Sequence, residues 1–137
     1  MRLDLYQAET ARIAAEQSAL LAQARDVLLQ GGRLNALEQS GVLHALQVLI
    51  ENAIGKAKHL LKSRNEPVPV SAYDTFNALT RCGEIEPADL AAWNSVIGLR
   101  NRIVHDYMNV DNEQVMELIV ACKEKFIIEF LLRAVAK

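Results

Sequence analysis

Nowhere in this chain of 137 residues is there a run of roughly 20 apolar residues, the length a bilayer core demands, so no membrane span is expected. The opening residues MRLDLYQAET hold no apolar h-region, which argues against a secretory signal and for a cytoplasmic protein. Aromatic residues make up only 5% of the chain, with six glycines and three prolines, too few turn formers for a sandwich or barrel. Cys82 and Cys122, the only two cysteines, are far apart and lack metal-ligand spacing, as expected of free, partly buried thiols in a reducing cytosol. The net charge of −2 is wrong for a protein that coats long nucleic acid, so any RNA contact must come from a local positive cleft. P-loop, G-x-G-x-x-G, H-E-x-x-H and nucleophile-elbow signatures are missing, and the carboxylates form no metal set, so no cofactor is expected.

What is present is helix. Hydrophobic residues are 51% of the chain, with leucine and alanine prominent. Residues 3–30 run without glycine or proline and end at Gly31-Gly32; their sparse apolar positions put this helix on the outside of a bundle. Residues 35–62 carry a continuous apolar stripe of Val42, Leu46, Leu49, Ile50, Ala53, Ile54, Ala57, Leu60 and Leu61, with Glu51 and Asn52 beside it. Two prolines make 63–70 a connector. Ser71, with Asp74 at N3, caps a short helix stopped at Gly83. Pro87 opens a helix to about residue 105, and Asn109 or Asp111 caps a last one, 112–136, with core positions Val115, Leu118, Ile119, Cys122, Phe126 and Phe130. The expectation is a single all-α domain over 1–137, an antiparallel bundle of four long helices and one short one.

The informative stretch is RNRIVHDY, Arg100 to Tyr107, an R-x4-H-x-Y pattern. Arginine presents a planar fork of donors that fits phosphate, and histidine exchanges protons near neutral pH. On a helical wheel Arg100 falls inside an apolar arc formed by Val96, Leu99, Ile103, Trp93, Ile97 and Val104. A guanidinium there needs either an anionic ligand or an internal ion pair with a carboxylate such as Glu51. His105 lies about 140° further round, so the helix must end or distort before it, or the site is built from two chains. Taken alone, His105 suits a helix C-terminus, Tyr107 a surface edge, Asn101 a solvent-facing position, and Arg102 solvent or phosphate. The cluster Lys56, Lys58, His59, Lys62 and Arg64 suits a helix C-terminus or an RNA backbone; His44 and His59 have no spacing partner.

With VLHALQVLIENAIGKAKHLL, PVPVSAYDTFNAL and LRNRIVHDY, the chain resembles HepT-type proteins of the HEPN superfamily, the toxin half of a bacterial two-gene system. The resemblance covers most of the chain, and the eight-residue motif is its specific part. It implies a helical dimer joined along the motif-bearing helices, with a metal-independent endoribonuclease site in the intersubunit cleft and messenger or transfer RNA as substrate. Arg100 would then bind the scissile phosphate, His105 act as general acid/base, and Asn101 orient the site, with Glu51 a polar neighbour from the second helix. The implied partner is a minimal nucleotidyltransferase antitoxin that attaches AMP to Tyr107 and so blocks RNA entry. Two alternatives stay open: a non-catalytic helical dimer that docks such a partner or offers it Tyr107, and a plain helical adaptor with Arg100 in a structural ion pair.

Overall fold

Helix stops decide this architecture. The computed structural model describes residues 3–134, and among these it contains helices α1 (Leu3–Leu29), α2 (Ala36–Ser63), α3 (Ala72–Arg81), α4 (Leu90–His105), α5 (Asn112–Val120) and α6 (Lys125–Leu132). Short 3-10 turns at Pro87–Asp89 and Tyr107–Asn109 flank α4. The caps follow local chemistry. Asn35 and Glu38 form a reciprocal capping box at the start of α2, with bonds of 2.8 and 2.9 Å. Ser71 accepts from the Asp74 N–H at α3, and Asp111 from two N–H groups at α5, which settles the choice between Asn109 and Asp111.

α2 is the central helix, packed against α1, α3, α4 and α6. Its predicted stripe is buried, with Ile54 only partly so. α1 runs antiparallel beside it, burying Ala14, Leu21 and Ala24 while Leu5 and Leu20 stay exposed, and it also packs on α5 and α6. Four of the seven aromatics gather where α3, α4 and α6 meet: Trp93 stacks on Phe76 at 4.4 Å between ring centres and meets Phe126 and Phe130 edge-on at 4.9 and 5.0 Å.

The predicted single helix over 112–136 is two helices, and its residues 135 and 136 lie outside the described ones. The break falls at Ala121–Glu124. Cys122, expected in a core stripe, takes φ +57° and is only partly buried. Lys123 N–H bonds back to Leu118 and Cys122 N–H to Ile119, the closure that normally wants glycine. A long-range contact holds the turn. Arg25 of α1 donates to both oxygens of the buried Glu124 (2.7 and 2.6 Å) and to the Ile119 carbonyl (2.7 Å), which it shares with the Cys122 N–H at the end of α5.

Candidate functional site

α4 stays helical through His105, and the backbone leaves it at Asp106 (φ −148°, ψ 47°). Of the two ways to bring Arg100 and His105 together, distortion before residue 105 is therefore not taken. Within one chain the two side chains leave the helix about 140° apart. His105 is exposed in the last turn of α4.

Arg100 reaches across to α2. Its Nε and Nη2 donate to one Glu51 oxygen at 3.1 and 2.9 Å, and its Nη1 donates to the side-chain carbonyl of Asn101 at 3.1 Å. The pair is only half-buried, with side-chain exposures of 27% for Arg100 and 36% for Glu51. Gln47, one turn earlier on α2, donates weakly to the same Glu51 oxygen at 3.4 Å. The guanidinium is thus fixed in orientation, with solvent access on one side. Tyr107, in the 3-10 turn after α4, is half-exposed, and its hydroxyl lies 3.2 Å from that of Ser40 on α2. Asn109 and Asp106 close the turn with a 2.7 Å bond.

Glu51, Asn101 and Arg100 are therefore brought together, Tyr107 joins the neighbouring stretch of α2, and His105 stands apart from Arg100. The sequence reading passes over Ser40. Its signal is the spacing Ser40, His44, Gln47, Glu51, which places all four on one face of α2. Arg102 is exposed and lines a groove between α4 and α5 with Ser95, Leu99, Gln114 and Leu118. Tyr73 of α3 sits over Gly98, where an added Cβ would come within 3.4 Å of its hydroxyl.

The basic cluster does not act as one surface. Lys56 is fully buried and donates to the carbonyls of Phe130, Leu131 and Arg133, capping the end of α6. Burial, helped by nearby Arg133, pulls its ammonium pKa down to about 8. His59 stacks on Tyr6 at 4.4 Å, and burial lowers its pKa. Lys58 donates to the Val70 carbonyl and Arg64 pairs with Glu84 at 2.8 Å, leaving Lys62 exposed. Among the described residues, no three His, Cys, Asp or Glu side chains cluster as a metal site. No described helix is long and apolar enough to cross a membrane.

Comparison with known proteins adds the following. The profile of the family described as "Ribonuclease HepT-like" matches residues 14–132. No curated protein matches the chain. A chain of a toxin–antitoxin complex crystallised with AMP-PNP superposes with a TM-score of 0.77 at 20% identity, covering 92% of this chain and 97% of that one. A chain of the complex of tri-AMPylated Shewanella oneidensis HEPN toxin with MNT antitoxin gives 0.66 at 23% identity, over 87% and 96%. A mutant MntA–HpeT toxin–antitoxin complex gives 0.62 at 23%, over 88% and 95%. At these identities the likeness establishes the shared helical fold.

Proposed function

Because the chain belongs to the HepT-like ribonuclease family, we propose that it is a metal-independent endoribonuclease toxin acting through Arg100 and His105. The observation that carries the reading is the tethered guanidinium. Arg100 stands in an apolar arc, oriented by Glu51 and Asn101, two turns or less from an exposed imidazole and phenol. A fixed cation with spare donors stabilises charge building on a phosphorane, and an imidazole moves protons to and from it. In this mechanism the ribose 2′-oxygen attacks the adjacent phosphorus, the bond to the 5′-oxygen breaks, and His105 handles proton transfer. The products are a 2′,3′-cyclic phosphate and a 5′-hydroxyl.

The test is cleavage of RNA by purified protein in EDTA. Cleavage should persist, leave the cyclic phosphate, and fall by about 10²–10⁴-fold in Arg100→Ala and His105→Ala. Undiminished activity in either variant refutes its assigned role. The helical offset between the two residues favours a site shared between two copies of the chain. Mixing the two inactive variants then tests the dimer: heterodimers carry one intact site each, so statistical exchange should restore about a quarter of wild-type activity. No recovery after verified exchange rules that arrangement out.

Regulation by AMP transfer to Tyr107 belongs to the same reading, supported by the AMPylated state of the Shewanella oneidensis toxin. The Tyr107 oxygen would attack the α-phosphate of ATP on a nucleotidyltransferase antitoxin, releasing pyrophosphate. The phenol is half-exposed, and modification requires it to leave Ser40. Co-expression with such a partner should add AMP mass to the wild-type chain and not to Tyr107→Phe. A second reading, a helical adaptor with Arg100 as a structural ion pair, draws on the Glu51 contact, and the stability of Arg100→Ala separates the two.

A further inference from the structure

The face of α2 beside the motif holds one side chain to which no role has yet fallen. At about 100° per residue, Ser40, His44, Gln47 and Glu51 fall within an arc of roughly 60°. The two ends of this row are tied to the motif, Ser40 beside Tyr107 at 3.2 Å and Glu51 to Arg100 at 2.9 Å. His44 stands between them, about 6 Å along the axis from Ser40 and about 10 Å from Glu51. It is exposed, as are His105 and Tyr107. Tied to this strip are Arg100, through Glu51, and Tyr107, through Ser40; His105 and Asp106 immediately precede Tyr107 in the chain. On α1, which also packs on α2, the exposed Glu9, Arg12 and Glu16 are engaged with one another, Arg12 pairing with both carboxylates.

We propose that His44 is a second catalytic imidazole of this site, an inference that rests on the ribonuclease reading above. Strand scission by the 2′-hydroxyl moves two protons. One leaves the 2′-oxygen as it bonds to phosphorus, and one must reach the 5′-oxygen as its bond to phosphorus breaks. A neutral imidazole takes the first and an imidazolium gives the second; exchange with water restores both afterwards. His105, the histidine of the motif, is assigned the acid. His44, on the α2 row between Ser40 and Glu51, is assigned the base. Along the row, Ser40 holds Tyr107, His44 accepts the 2′ proton, and Glu51 orients the phosphate-binding Arg100.

The experiment compares wild-type, His44→Ala, His44→Gln and His105→Ala on a labelled RNA oligonucleotide, from about pH 5 to about pH 9. Because His44 is exposed, both substitutions should leave the circular dichroism spectrum unchanged. Both should lower kcat by about 10²–10⁴-fold with KM nearly constant, and flatten the acidic limb of the pH–rate profile while the alkaline limb survives. Added imidazole should restore part of the activity of His44→Ala. Wild-type kcat in both His44 variants, or a defect confined to KM, overturns the proposal while the ribonuclease reading stands. A wild-type protein that cleaves no RNA overturns both.

Discussion

Replacing Arg100 by alanine should abolish function while barely touching stability, and the structure says how little. A fully buried ion pair that loses one member costs about 3–5 kcal/mol, because the remaining charge is stranded out of water. An exposed pair contributes about 0.2–1 kcal/mol. Arg100 and Glu51, at 27% and 36% side-chain exposure, lie nearer the second case: after substitution water can reach the Glu51 carboxylate. Adding the packing lost with the arginine stem, the expected loss is about 1–1.5 kcal/mol. For a chain of this size that lowers Tm by about 3–5 °C, leaving the variant folded at assay temperature. Urea denaturation of wild-type, Arg100→Ala, Glu51→Gln and the double variant would measure it, with a coupling of about 1 kcal/mol expected between the two sites. If Arg100→Ala loses 3 kcal/mol or more and its activity falls only in proportion to its folded fraction, the arginine is a strut and its phosphate-binding role fails.

Three further outcomes follow from the packing. The Arg25–Glu124 pair is nearly buried, at 15% and 2% side-chain exposure, so Glu124→Gln or Arg25→Met should cost about 3–5 kcal/mol in denaturant unfolding and loosen the α5–α6 turn. Lys56 titrates near pH 8 when folded against its ordinary 10.5, so between those values the unfolded chain holds more protons and stability must rise with pH. In Lys56→Met this rise should vanish, with a loss of about 1–3 kcal/mol below pH 8 from the orphaned carbonyls of α6. Cys122 sits at φ +57°, so Cys122→Gly should stabilise the fold by about 0.5–1 kcal/mol and Cys122→Ala should not, read as a difference in urea midpoint.

How far the sequence speaks for the structure depends on how far apart the deciding residues are. Ser71, Gly31 and Gly83 announce helix ends, and Asp111 is one of two candidates beside Asn109, because a cap is a contact over three or four residues. The stop between α5 and α6 uses the same closure as Gly31 and Gly83, yet a cysteine occupies the left-handed position and the stabilising arginine is 99 residues away from Glu124. No local pattern can show it. Lys56 is a similar case: among neighbouring lysines it reads as solvated, and only the arrival of α6 carbonyls 74 residues later makes it a buried cap. The candidate site divides the same way. The R-x4-H-x-Y spacing is plain in the sequence and helical angles show that Arg100 needs an anionic partner, whereas the choice of Glu51 and the Ser40–Tyr107 contact depend on how α2 and α4 align.

That alignment explains why an arginine is tolerated in the apolar arc of α4 at all. A bundle selected only for stability would fill the position with leucine, avoiding the desolvation of a guanidinium. Here the antiparallel pairing of α2 and α4 sets Glu51 opposite Arg100 and Ser40 opposite Tyr107, so one register supplies both tethers. The tether holds the guanidinium in one orientation before any substrate arrives, which removes the ordering entropy that a free arginine would lose on meeting phosphate. The same bond also opposes binding, because a phosphate must share Arg100 with a carboxylate of like charge. Both effects act on one residue, so the identity of the side chain at position 51 sets the balance between a preoriented cation and an available one.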